Sequence, residues 1–441
     1  MRNVLIIISF LGLLTITDTA VCQENEAFGL SVRAEVPTWQ WRCDNGDAIL
    51  NFSPARIVDS AHTLVFDSIP YAKNYTMVVV YKPIDEAETT VWRLNFDEEA
   101  MRGLTTEHII SDNVTIRYAG ATTENPVINT LRQTAPDSIA PFVSLTLGGD
   151  TLSGAVKVAE VLYFDHRLNN SMLRRVQSAL AVRYGITLGP VNYVDGTGDV
   201  IWSYADSGLY HHRVTGVGRD TTYNVHQLQS RSEVPGAILT VRTDNLPEGD
   251  FFVCGDNDAP MVFEPDGEIE VLNRQWKAHS TNNDSHIHLT FDTRGFATPG
   301  DSLVLLVDGF PILPDTVTPD AVTFRHIMIP ADTGTFILAK GSVLWQTAMG
   351  CGHGTRYSGA GRGTIESSVY PNPSTGSYTI EVTGASWVKV RIYNAQGVLM
   401  DSFGDSDQWQ YLFSGALPGG NSYYATVTTE SGTQTMKLIV K

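Results

Sequence analysis

His286 and His288 stand two residues apart in the run from His286 to Phe291, whose composition predicts a strand. Both imidazoles would then leave the chain on one face. Such a pair can begin a metal site, but no third ligand is evident, and a pair of surface histidines is the plainer reading. His211-His212 lies in a polar segment before Val214 and could serve a ligand or a pH response. Asp256, Asp258 and Asp266 could hold calcium on a loop or simply solvate a turn. Gly216-Val-Gly-Arg-Asp220 lacks the lysine and the strand-to-helix setting of a phosphate loop. No Gly-x-Ser-x-Gly elbow occurs. The acid pair of a glycosidase cannot be chosen from 48 Asp and Glu without geometry. Neither a catalytic residue nor a cofactor is therefore expected.

What would position such groups is mostly strand. The 441 residues exceed one average domain, and 42% hydrophobic with 10% aromatic residues is enough for true cores. Tyr75 to Tyr81 reads as a buried strand ending at Lys82-Pro83. Thr89 to Phe96 alternates, with Trp92, Leu94 and Phe96 inward and Arg93 and Asn95 outward. Val114 to Tyr118, Phe142 to Leu147 and Val156 to Phe164 continue a series broken by Gly, Asp and Asn, which favours antiparallel sandwiches. One helix is expected near 170–184, capped by Asn169 or Asn170 and stopped at Gly185. It would lay Met172, Leu173, Val176, Leu180 and Tyr184 on a sheet and keep Arg174, Arg175 and Arg183 in water. A second β-rich region covers 191–345, with strands at Ala237 to Val241, Phe251 to Cys254, Ser302 to Val307 and Thr335 to Ala339. A glycine-rich linker follows at 346–366, and a last β-module occupies 367–441.

Net charge is −18, yet the segment from Ser367 holds only five acids against four bases, so the negative charge sits in the middle. An acidic body without a basic run repels phosphate backbones, so nucleic acid is not an expected partner. Residues 1–22 read as a secretory signal: Arg2, an apolar run from Val4 to Leu14, then Ala20-Val21-Cys22, with cleavage between Cys22 and Gln23. An N-terminal anchor or a lipidated Cys22 are the alternatives. Cleavage leaves Cys43, Cys254 and Cys351, which permit one disulfide at most.

The last module begins with Tyr370-Pro371-Asn372-Pro373 and Gly376, continues through the turn Asn394-Ala-Gln-Gly397, and ends Lys437-Leu-Ile-Val-Lys441. In this order at the C-terminus, these pieces resemble the sorting domain of type IX secretion cargo in Bacteroidetes. The resemblance implies recognition by the type IX translocon, and removal of the domain by a sortase-like peptidase near Gly363, Ser367 and Ser368. It further implies attachment to surface lipopolysaccharide and a place on the outer-membrane surface or in the medium. Ala159 to Asn170 with the following helix resembles the end of a laminin-G/concanavalin-like jelly roll over about 30–190. Val200-Ile-Trp202, Val214 to Asp220 and Leu272 to Lys277 resemble a β-sandwich module that trails such domains.

The fold expectation is thus mainly β, as tandem sandwiches ending in a small Ig-like one. The leading functional expectation is a non-enzymatic surface protein binding a glycan, a protein or the envelope. An accessory or regulatory component of the secretion system, and a secreted hydrolase, are the other two.

Overall fold

The computed structural model describes residues 36–341 and 366–441, apart from 97–100, 112–113, 119–120, 138–139, 150–151, 268, 282–286, 299–300, 328, 330–333, 384, 386, 396–397, 407–409 and 430–431. The signal segment with Cys22 and Gln23, and the glycine linker with Cys351 and Gly363, lie outside the described residues, as do His286 and Gly397. The architecture is mainly β, in tandem antiparallel two-sheet units.

In the first unit one sheet runs Val127–Thr134, Asn74–Pro83, Val156–Phe164, Ser53–Val58, Ala48–Leu50, with Trp39–Arg42 also paired to Val156–Phe164. The facing sheet runs Leu64–Pro70, Phe142–Leu147, Thr90–Asn95, Met101–Thr105, His108–Ser111, Val114–Arg117. Tyr75, Met77, Val79 and Tyr81 meet Trp92, Leu94, Leu145 and Leu147 between the sheets. Val78 and Val80 point the other way, into a second core shared with the helix. Burial on both faces explains why Met77 to Tyr81 is continuously apolar rather than alternating.

That helix, α1 (Asn170–Tyr184), starts where Asn169 accepts the Met172 N–H and stops at Gly185 in the left-handed region. Its Val176, Leu180 and Tyr184 pack on the first unit, as the spacing predicts. The expectation of a wet opposite face is corrected. Ala179, Ala181 and Val182 pack against Tyr193, Ile201, Trp202, Val214 and Phe251 of the next unit. Arg183 is 5% exposed, and Arg174 and Arg175 are half-buried. The helix is an inter-unit wedge with two apolar faces. A second, four-residue helix, α2 (Tyr204–Ser207), was not expected; Ser203 caps it.

The second unit faces the sheet Val225–Gln227, His212–Asp220, Phe251–Asp256, Ile269–Ser280, Thr335–Lys340, Leu303–Val307, Phe310–Ile312 against Gln229–Arg231, Leu239–Thr243, Ile287–Asp292, Ala321–Ile327, Thr316–Val317. Its centre is Trp276, stacked on Phe336 at 5.9 Å and edge-on to Phe291 at 5.2 Å. Cys254 is buried in this core and Cys43 is buried in the first unit; both are free thiols. Burial pushes the Cys254 thiol pKa up, which makes it a poor nucleophile.

The C-terminal unit pairs Glu366–Tyr370, Ser377–Thr383 and Gln410–Ala416 in one sheet, with Leu399–Ser406, Trp387–Asn394, Asn421–Thr429 and Gly432–Val440 in the other. Gln410–Ala416 went unread in the sequence, although its Tyr411 and Phe413 join the core.

Candidate functional site

The pieces of the C-terminal signature, more than 60 residues apart in sequence, come together in space. Leu438 and Val440 alternate inward on the last strand, while Lys437 and Lys441 are exposed. That strand offers its far edge to the Pro-Asn-Pro turn. Asn372 donates its Nδ2 to the Lys437 carbonyl at 2.6 Å and accepts the Ile439 N–H at 2.9 Å, so one amide side chain replaces a neighbouring strand. Prolines on both sides have no N–H to offer, so the Asn372 side chain supplies a donor where the flanking backbone cannot. Ser374 continues the ladder, its N–H on the Ile439 carbonyl and its own carbonyl receiving the Lys441 N–H, at 2.8 and 2.9 Å. Gly376 sits at φ +129°, which disfavours a side chain, and its carbonyl receives the Leu417 N–H. Tyr370 is exposed beside this turn. Asn394 lies elsewhere and closes its own turn by accepting the Val398 N–H at 2.9 Å. Ser367 and Ser368 fall inside the Glu366–Tyr370 strand, opposite Val382 and Glu381.

A second polar constellation locks the first two units together. Glu160, 1% exposed, accepts Arg183 Nη1 at 2.7 Å, the Tyr184 hydroxyl at 2.8 Å, Gln40 at 2.5 Å and Arg42 at 3.3 Å. Burial alone would raise its pKa, but Arg183 and Arg42 outweigh that and hold the carboxyl below its ordinary value. Arg183 spends its other nitrogen on the Tyr223 and Asn224 carbonyls of the second unit, at 2.8 and 2.6 Å. Asn51 adds a clip, donating to the Arg183 carbonyl and to Ser230 while accepting the Arg231 N–H. A Cβ on Gly185 would lie 2.3 Å from the Arg231 carbonyl, so this helix stop is also a point of closest approach. Beside the network opens a cleft of about 270 Å³, lined by Arg42, Asp44, Arg183, Asn224, His226 and Gln227 among others.

The candidate ligands proposed from sequence are mostly used structurally. Asp256 and Asp258 both grip Arg213, at 2.5 Å each to Nη2. Asp266 pairs with Ile269, seven residues along the strand from Trp276, the partner of Asp256; that separation is roughly 23 Å. The three aspartates therefore do not share one loop. His211 stacks on His212 at 4.5 Å and lies tilted against Tyr204 at 4.8 Å, with Nδ1 committed to the Gly208 carbonyl at 2.7 Å. His288 instead meets His326, which sequence reading passed over, with rings 4.8 Å apart and Nε2 3.1 Å from Asp244. Nothing local in the sequence marks His326, because its partner is 38 residues away on the neighbouring strand.

His326 also carries a polar contact between body and tail. Lys389 and Arg391 of the C-terminal unit both donate to its carbonyl, Arg391 at 3.1 Å. Lys389 is 8% exposed, and burial, then Arg391, push its pKa down to about 7. The His326 pKa is lowered as well, first by burial and then by His288, Lys389 and Arg391. A base whose pKa falls on docking favours the docked form above its free value and loses that support as pH drops through the docked one. Docking should therefore be tightest in alkali and weaken as pH falls from about 10.5 towards 7, with His326 continuing the trend below 6.5. Small-angle scattering should show a larger radius of gyration at pH 6 than at pH 9, and Lys389→Met should remain compact between pH 7 and 9.

Residues 368–441 match the family described as the secretion system C-terminal sorting domain. The tail is thus a sorting domain, and the chain is cargo exported by type IX secretion, to the cell surface or the medium. Residues 172–325, which take in α1 and most of the second unit, match a domain of unknown function (DUF8202). No curated protein matches the chain. Among solved structures, a Paenibacillus cycloisomaltooligosaccharide glucanotransferase aligns at 12% identity and TM-score 0.18, over 69% of this chain and 46% of that one. Dimeric latent PorU from Porphyromonas gingivalis aligns at 11% and 0.16, over 87% and 32%. Tp47, a lipoprotein of Treponema pallidum, aligns at 10% and 0.15, over 87% and 93%. The chain spans less than half the length of the first two, and these scores carry no functional argument. Among the described residues, no helix is long and apolar enough to cross a membrane.

Proposed function

We propose that the body is a non-enzymatic binding module displayed on the outer-membrane surface, with the seam cleft between its first two units as the ligand seat. The observation that carries this is the cleft itself. Arg42, Asn224, His226 and Gln227 line it with fork-like and amide donors, the chemistry that reads sugar hydroxyls, carboxylates or peptide groups. Its walls are pinned by the Glu160–Arg183 pair, so the seat is formed before a ligand arrives. Binding to a preformed seat avoids an ordering cost. The partners on the way out would be the type IX translocon and a sortase-like peptidase, and attachment to lipopolysaccharide would follow.

We propose that the peptidase cuts before Glu366. Ser367 and Ser368 are held in a paired strand, and hydrolysis there would require pulling that strand out of its sheet. Mass spectrometry of the surface form should give a C-terminus upstream of residue 366; a terminus at 367 or 368 would contradict the placement.

A glycan and peptide array probed with the chain lacking its first 22 residues should return ligands that His226→Ala and Gln227→Ala weaken by at least tenfold. Turnover of any array polymer would favour the hydrolase reading. Failure of other cargo to reach the surface in a deletion strain would favour a secretion-accessory role.

A further inference from the structure

We infer that the first unit carries a zinc-class divalent-cation site built from Glu88, Glu107 and His108. The donor atoms of these three side chains lie within 4.8 Å of one another, at the end of the sheet where Thr90–Asn95 and Met101–Thr105 pair. Glu88 precedes one strand, while Glu107 and His108 follow the other, so the sheet's own register brings the three together across 20 residues of chain. Each is half-buried. Two carboxylates with one imidazole make a neutral site with Zn²⁺, and an imidazole donor disfavours calcium, which takes oxygen.

A separate observation points into the same place. Thr90 is directly opposite Thr105 in the register, so both side chains leave the sheet on one face. Thr105 uses that face to donate its hydroxyl to Glu88. Thr90 is 2% exposed, and among the described residues its hydroxyl has no hydrogen-bond partner. A buried hydroxyl left without a partner keeps its desolvation penalty. A water on a cation held by the three ligands would supply its partner, and zinc bound by three protein groups keeps a fourth position for water.

Glu88 Oε1 and His108 Nδ1 are 2.7 Å apart, joined by a shared proton. The cation would take that proton's place. His108 would bind through Nδ1, and the displaced proton would leave to solvent. Tetrahedral zinc needs donors roughly 3.3 Å apart, which small side-chain rotations supply. Arg117, 3.1 Å from Glu107, is largely exposed and can swing aside.

The test is calorimetric titration of ZnCl₂ into the full chain without its first 22 residues, after chelator treatment and dialysis. One zinc per chain is expected, with binding at least tenfold weaker in His108→Ala and in Glu88→Gln. Thr90→Val, which removes no ligand, should weaken binding severalfold while leaving the near-ultraviolet circular dichroism unchanged. Zinc should raise the melting temperature of the wild-type chain but not of Glu88→Gln, a comparison that survives poor folding of any one variant. No stoichiometric zinc, undiminished zinc binding in His108→Ala, or tighter binding of CaCl₂ than of ZnCl₂ would each overturn the inference.

Discussion

Glu160→Ala is expected to cost the body about 3–5 kcal/mol of stability, because it strands the buried Arg183 guanidinium without its counter-charge. The loss is large for a specific reason. Arg183 is fixed by α1 and by the Tyr223 and Asn224 carbonyls, so it cannot turn to water to recover solvation. Tyr184 and Gln40 lose their acceptor in the same step. Since the pair joins two units, urea denaturation should show not only an earlier midpoint but a split into two transitions. The pH dependence has a definite sign. The carboxyl pKa of Glu160 is lower in the folded chain than its ordinary value of 4.5. Its contribution is present above that value and is lost as pH falls through the lower folded one. Wild type should therefore lose stability more steeply than Glu160→Ala below pH 4.5. A variant with an unchanged urea midpoint would show that the network contributes nothing at the seam.

Removing Lys437 to Lys441 is expected to abolish delivery to the surface. Leu438 and Val440 are fully buried, and burying each such side chain contributes about 1.5–3 kcal/mol. The truncation also removes the edge that holds Asn372 and Ser374, leaving the Pro-Asn-Pro turn with nothing to dock on. A small sandwich has little stability to spare, so the sorting domain should unfold. Asn372→Ala is the graded version. It deletes two hydrogen bonds, about 1–2 kcal/mol together, and should reduce surface signal without eliminating it. Protease accessibility on whole cells reads both. Full surface exposure of the truncated chain would show that neither the last strand nor the turn it seats is needed for sorting.

The two cases differ in how far they could be read from sequence. The Tyr-Pro-Asn-Pro turn and the Lys-Leu-Ile-Val-Lys end are local patterns, and both stand in the sequence as written. What went unread was that the two ends of the module touch, since Asn372 finds its partners 65 and 67 residues later. Arg183 was misread for a related reason. Helical spacing, seven residues from Val176 and three from Leu180, in fact puts it on the covered face, so its charge rather than its position suggested water. Ala179 and Ala181 are small enough to look neutral, so the second covered face left no strong apolar signal. The buried carboxylate that makes an interior arginine tolerable sits on a strand 23 residues earlier, in a run otherwise apolar.

By itself the sequence determined the β class, the course of several of the strands, both ends of α1 and the sorting character of the tail. The first three follow from neighbours within a few residues, through side-chain alternation, capping chemistry or turn stereochemistry, and the last from resemblance to a known family. Only the tertiary structure decided which charges are buried, that α1 wedges two units together, that Asp266 is far from Asp256, and that Glu88, Glu107 and His108 converge. Those facts depend on strand register and on which surfaces exclude water, and a charged residue has the same letter in either setting.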